Sequence, residues 1–252
     1  MGICCEPGQV DDGLTVRDLA PPSVEGISDK YTVWEYGTPF KRCSYLAFKN
    51  ALNEAHAADG GEGFVSMKTL ADKFTTPAWA ALDDESSAIS KALLSDAFKN
   101  AKMGQKADQI DFETLMMFGL LHCQDRNIPM EKAKGFYELL QEGGFERHQT
   151  ISASDKDLAP AFAKMCKLVT TDVFNFSTVK CKFDEDERIS LEEANEPVLE
   201  DQLLDALYGF SSTLQNEVWL EKITKEGKWV FDATLLRAKL FESAQVATKH
   251  IK

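Results

Sequence analysis

Five lone β-branched residues, Val65, Ile110, Ile151, Ile189 and Val230, recur at separations of 45, 41, 38 and 41 positions. Each stands near the end of a polar stretch. Four of these stretches read Gly60-Gly61-Glu62-Gly63-Phe64-Val65-Ser66, Ala107-Asp108-Gln109-Ile110-Asp111, Arg147-His148-Gln149-Thr150-Ile151-Ser152 and Asp184-Glu185-Asp186-Glu187-Arg188-Ile189-Ser190. A weaker fifth runs Lys225-Glu226-Gly227-Lys228-Trp229-Val230-Phe231. A near-constant period with helical pattern on either side is the mark of a repeated helix–loop–helix unit, which cannot bury its apolar face alone and must dock on a neighbour.

Between the breaks, apolar residues fall at helix spacing. The stripes are Phe48, Ala51, Leu52 and Ala55; Ile89, Leu93, Ala97 and Phe98; Phe112, Leu115, Met116, Gly119 and Leu120; and Leu158, Ala161, Phe162, Met165 and Val169. Strand-like alternation is nearly absent, so the pattern predicts an all-α fold. The residue after each branched position (Ser66, Asp111, Ser152, Ser190) is polar and suited to starting the exiting helix. Met116, Met117, Phe118, Leu120 and Leu121 are apolar on every face of their segment, which reads as core in preference to a groove for a partner helix.

A helix–loop–helix unit with one branched residue at the eighth loop position, paired with its counterpart in a neighbouring loop, resembles the EF-hand design. In particular the chain is similar to the calflagins, acylated four-hand flagellar calcium-binding proteins, and their ciliate relatives. The similarity covers roughly Trp34 to Tyr208. It rests on Leu94-Ser95-Asp96-Ala97-Phe98-Lys99-Asn100-Ala101-Lys102, an unusually long second loop, and Ile110-Asp111-Phe112-Glu113 leading to Phe118-Gly119-Leu120-Leu121-His122-Cys123. The resemblance implies two lobes of paired hands, an acylated amino terminus and a place in a cilium or flagellum.

Calcium binding by such a loop needs oxygen ligands at positions 1, 3, 5, 7 and 9, a bidentate Glu at 12 and Gly at 6. With the branched residue at position 8, the first loop has Ala58 at 1, Gly60 at 3 and Thr69 at 12; only Glu62 and Gly63 fit. The second has Met103 at 1, Ala107 at 5 and Thr114 at 12, and the third has Gly144, His148 and Asp155 at 1, 5 and 12. The fourth is the best candidate metal site, with Asp184, Asp186, Ser190 and Glu193 at 3, 5, 9 and 12. Against it stand Lys182 at position 1 and Glu187 where Gly is needed. The acidic run from Asp184 to Asp201 therefore has three readings: a weak calcium site, a face for a basic partner, or a solvated face.

The chain begins Met1-Gly2-Ile3-Cys4-Cys5. Loss of Met1 would expose Gly2 to myristoylation, and Cys4 and Cys5 could take palmitate; two acyl chains hold a protein on a membrane where one does so marginally. Glu6 stands where Ser or Thr is usual, so an unmodified terminus remains the other reading. Net charge is −13, which weighs against nucleic acid as a partner because phosphate binding rests on concentrated Lys and Arg. Cys43, Cys123 and Cys166 sit among apolar neighbours and read as free core thiols. Phosphate-binding loops and hydrolase motifs are lacking, and His122 and Cys123 point about 100° apart on a helix, so no enzyme chemistry is expected.

The expectation is an acylatable tether over 1–30, EF-hand-like lobes over 38–124 and 130–208, and a helical extension over 209–252 in which Trp219 and Trp229 belong either to a final helix pair or to a degenerate fifth hand. The function expected is a non-catalytic, largely calcium-insensitive adaptor or structural component that binds protein partners. It is placed in the cytoplasm, at the inner face of a ciliary or flagellar membrane or on the axoneme, with no cofactor beyond weak calcium. A calcium sensor using the fourth hand and a permanent subunit of a large complex are the alternatives.

Overall fold

The computed structural model describes residue 35 and residues 37–99, 105–124, 130–141, 149–172 and 185–244. Helix α1 (Tyr45–Ala58) starts at Ser44, whose hydroxyl accepts the Ala47 amide at 3.3 Å, and it buries Tyr45, Phe48, Ala51, Leu52 and Ala55. Strand β1 (Phe64–Ser66), α2 (Met67–Lys73), α3 (Ala88–Leu93), β2 (Gln109–Asp111) and α4 (Phe112–His122) follow. The strands pair antiparallel with Val65 opposite Ile110, and both side chains are fully buried. Each strand ends on the cap of the next helix. Ser66 Oγ accepts the Thr69 amide at 3.2 Å, and the Asp111 carboxylate accepts the Thr114 amide at 2.9 Å. Such caps satisfy amides that a helix start leaves without partners.

The second half is built from α5 (Met130–Leu140), β3 (Thr150–Ser152), α6 (Leu158–Lys167) with a π-helical turn at Leu168–Asp172, and α7 (Glu185–Glu193). Then come α8 (Asn195–Pro197), a π-helical stretch Val198–Leu204, α9 (Asp205–Tyr208), β4 (Thr213–Gln215), α10 (Asn216–Lys225), a 3₁₀ turn at Lys228–Phe231 and α11 (Ala233–Ser243). The protein is thus mainly helical, with two small sheets of two strands each.

Two of the five branched positions do not behave as their spacing predicts. Ile151 lies opposite Leu214, not Ile189. Ile189 sits on α7 and is 44% exposed, and Val230 is buried in the 3₁₀ turn. The physical reason is local. Residues 185–193 hold no glycine to reverse the chain and are rich in Glu, which favours helix. Ahead of Leu214, by contrast, Gly209 adopts φ +55°, a conformation that costs other residues steric strain.

The boundary expected at residue 208 moves accordingly. Strand β4 pairs with β3 and α10 packs on α5, so residues 213–225 complete the second half and are not an added extension. Trp219 of α10 is fully buried against Phe136 and Tyr137.

Helix α4 lies at the centre. Thr114 to His122 are all buried, whichever face they occupy, and α4 touches α1, α5, α6 and the Lys228–Phe231 turn. One apolar cluster runs through both halves. Close approach depends on two glycines: a Cβ at Gly119 would stand 2.2 Å from Phe48 Cε1, and one at Gly135 of α5 would stand 2.1 Å from Tyr45 Oη. Among the described residues no helix is long and apolar enough to cross a membrane.

The Phe48 ring is itself packed against Phe40, Phe74 and Trp79, so it has little room to retreat. Gly119→Ala is expected to destabilise the protein by roughly 1–3 kcal/mol through overpacking, against the gain that alanine ordinarily brings inside a helix. Urea unfolding of the two proteins measures the difference.

Candidate functional site

Each of the four strand-bearing turns is tied across its ends by a side chain of the chain itself. In the first, the Asp59 carboxylate at the end of α1 accepts the Ser66 amide at 2.6 Å and the Thr69 hydroxyl at 2.6 Å, joining α1 to α2. His56 Nε2 accepts the Gly63 amide at 3.1 Å. Burial pulls the His56 pKa down, with Asp59 opposing, which keeps that nitrogen free to accept. In the third turn Gln141 donates to the Asp155 carboxylate. In the fourth, Lys222 Nζ of α10 donates to the Leu207 carbonyl at 2.5 Å.

The second turn is the most fully occupied. Lys99 Nζ donates to the carbonyls of Lys106, Ala107 and Gln109 at 3.2, 2.8 and 2.6 Å. Gln105 Nε2 adds a 2.7 Å bond to the Gln109 carbonyl. The three donors of the ammonium are matched to three backbone acceptors. Burial lowers the Lys99 pKa, while Asp108 and Asp96 raise it.

The residues picked out as a metal site fall elsewhere. Asp186, Ser190 and Glu193 lie on α7 with Asp186 and Glu193 exposed, whereas Asp184 is outside the described residues, as are Gly2, Cys4 and Cys5. Counted from Leu214 as position 8, the actual fourth turn has Leu207, Gly209, Ser211 and Val218 at positions 1, 3, 5 and 12, with no carboxylate. Among the described residues no group of three or more His, Cys, Asp or Glu is placed to hold a metal ion. Leu214 escaped the sequence reading because it is not β-branched; the Gly209-Phe210-Ser211-Ser212 break before it was the available signal.

A cleft of about 680 Å³ opens between the halves. Lys99, Asp111, Glu113, Thr114 and Met117 line it from the first half, and Leu139, Asp157, Pro160, Ala161 and Lys164 from the second. Asp111 is committed to the Thr114 amide and hydroxyl, and Lys164 Nζ donates to the Ala97 carbonyl at 3.2 Å. The Glu113 carboxyl is raised above the usual carboxylate range, first by burial and then by Asp111 and Asp157, with Lys164 opposing.

Behind α4 lies a buried ionic cluster that the sequence does not announce. Arg237 of α11 donates to both carboxylate oxygens of Glu35, at 2.9 and 3.1 Å, and to the Val169 carbonyl at 2.9 Å. Glu35 and Arg237 are 0% and 1% exposed. His122 Nδ1 is 3.9 Å from Glu35 Oε1. Burial, then Lys41, Arg237 and Lys132, hold the His122 pKa well below its ordinary value. Lys132 Nζ donates to the Phe231 carbonyl at 2.8 Å, and Lys41 pairs with Asp232 at 3.5 Å. Burial pushes the Cys123 thiol well up. A neutral imidazole beside a protonated thiol is the reverse of what a nucleophilic Cys–His pair requires. Cys43, Cys123 and Cys166 are free and buried, as the sequence suggests.

No family model, curated protein or solved structure matches this chain.

Arg237→Ala leaves the Glu35 carboxylate buried without its strongest partner. It is expected to cost about 3–5 kcal/mol of stability, read from urea unfolding. His122 sets a second expectation. Its folded pKa lies below the unfolded value of about 6.5, so its contribution is complete above that pH. Below it the unfolded chain takes up a proton the folded one refuses, and stability falls by up to about 1.4 kcal/mol per pH unit. Between pH 7 and pH 5.5 the urea midpoint of His122→Leu should therefore fall less than that of the unsubstituted protein.

Proposed function

We infer that this protein is a non-catalytic adaptor or structural component of EF-hand type whose turns are held shut without calcium. The observation that carries this reading is the Lys99 ammonium. Counted from Ile110 at position 8, Gln109 is position 7, whose backbone carbonyl is a calcium ligand in a binding loop. Here that carbonyl accepts a hydrogen bond from Lys99 at 2.6 Å, alongside the carbonyls of Lys106 and Ala107. A cation belonging to the chain stands where a divalent ion would otherwise bind.

The other turns support the same reading. Asp59 bridges to Thr69 at position 12 of the first turn, and Asp155 at position 12 of the third is held by Gln141. In a calcium-loaded loop the position-12 carboxylate moves onto the ion and carries the exiting helix with it. A turn already tied at that point has no vacant state to leave, so the hands act as a fixed scaffold and not as a switch. The antiparallel pairs Val65–Ile110 and Ile151–Leu214 are the arrangement that paired hands use.

Such a scaffold works by presenting surface to partners. The strong negative charge of the chain favours basic proteins as those partners, since opposite charge steers encounter. Acylation at Gly2, Cys4 and Cys5 would hold the scaffold at the cytoplasmic face of a membrane, which on the calflagin resemblance would be that of a cilium or flagellum.

Calcium tests the reading. On titration to 1 mM free calcium, Trp fluorescence and melting temperature are expected to stay unchanged; a sensor would respond within the micromolar to sub-millimolar range. A saturable shift would replace the adaptor by a sensor. Intact mass of the native protein tests the anchor, with loss of Met1 and gain of acyl mass as the expected result.

A further inference from the structure

The cleft between the halves has a composition that selects its occupant. Among the described residues two lysines stand on its wall, and both donate to backbone carbonyls: Lys99 to three, and Lys164 to that of Ala97. Asp111 is taken by Thr114. Among the described residues, neither the Glu113 nor the Asp157 carboxylate enters a hydrogen bond or an ion pair. These two acids come from opposite halves, Glu113 from the first turn of α4 and Asp157 from the residue before α6. The same wall also carries the apolar side chains of Met117, Leu139 and Ala161. Two carboxylates outside any hydrogen bond or ion pair, on a wall that also offers apolar side chains, complement a positive head on an alkyl stem.

We propose that this cleft docks a basic segment of a protein partner, with one arginine or lysine side chain entering between Glu113 and Asp157 and its stem lying on Met117, Leu139 and Ala161. A volume of about 680 Å³ exceeds a single side chain and falls in the range of roughly 300–1,000 Å³ typical of binding pockets. The occupant therefore brings backbone and neighbouring side chains with it, which points to a peptide segment and not to a free polyamine. Charge complementarity supports the same choice, because a chain of net charge −13 attracts basic proteins at long range. Docking there would bridge the two halves and turn the rigid scaffold of the preceding section into an adaptor with a defined socket. The proposal rests on that adaptor reading, and the two are separable: a calcium response would overturn the adaptor alone, and an unoccupied cleft would overturn the socket alone.

The test uses the full chain labelled at the methionine methyl groups and a pentapeptide alternating leucine and arginine. The Met117 methyl resonance is expected to shift saturably, while that of Met67, which does not line the cleft, stays in place. Glu113→Gln with Asp157→Asn should weaken binding at least tenfold. Asp157→Lys changes an exposed position and should abolish the Met117 shift even if the double variant folds poorly. A pentapeptide alternating leucine and glutamate should leave Met117 unmoved, and spermidine should bind at least tenfold more weakly than the basic peptide. A silent Met117 resonance, binding indifferent to both variants, or spermidine binding as tightly as the peptide would each overturn the proposal.

Discussion

Helix α4 has no solvent side over most of its length, and the rest of the molecule is arranged by the need to cover it. An amphipathic helix can be satisfied by one neighbour, but a helix apolar all round must be enclosed. Helices α1, α5 and α6 and the Lys228–Phe231 turn do this together, which is why the two strand-paired halves share one core and do not stand apart as separate lobes. Gly119 and Gly135 set how close the enclosing helices come, because ring atoms of Phe48 and Tyr45 occupy the space a side chain would need.

Enclosing α4 also carries polar groups out of water. His122 ends the helix in a site where charge is costly; Glu35, Lys41, Arg237 and Asp232 are brought in by segments from the two ends of the described chain, and Lys132 by α5. Each cation there meets an acceptor, as burial requires. Arg237 is the most connected, since one guanidinium joins residue 35, the π-helical turn at Val169 and α11. The planar fork of arginine suits this three-way junction in a way a lysine ammonium would not. Asp232, which caps α11 through the Thr234 and Leu235 amides, keeps a lowered pKa. Burial would raise it, but Lys41, the two amides and Lys132 together prevail.

The turns follow the same economy of internal partners. A loop that binds a metal leaves its carbonyls and carboxylates waiting for an ion, whereas here Asp59, Lys99, Gln141 and Lys222 supply the missing partner from within. The cleft between the halves is lined from β2, α4, α5 and α6. Among the described residues, the Glu113 and Asp157 carboxylates on its wall enter no hydrogen bond or ion pair.

Spacing and side-chain type in the amino-acid sequence were enough to define the mainly helical class, the stripes that became the buried faces of α1, α4 and α6, the Val65–Ile110 pairing and the burial of three cysteines. These are properties of residues close together along the chain, where spacing and side-chain type act directly. Only the tertiary structure decided that Leu214 and not Ile189 pairs with Ile151, that residues 213–225 complete the second half, and that Glu35 meets Arg237 across the core. It also revealed Lys99 as the cation of the second turn and assembled the cleft from Glu113 and Asp157. Apart from Lys99, whose carbonyl partners lie within ten residues, those outcomes turn on partners distant in sequence, and a period that counts residues carries no information about which distant groups will be driven together when water is excluded.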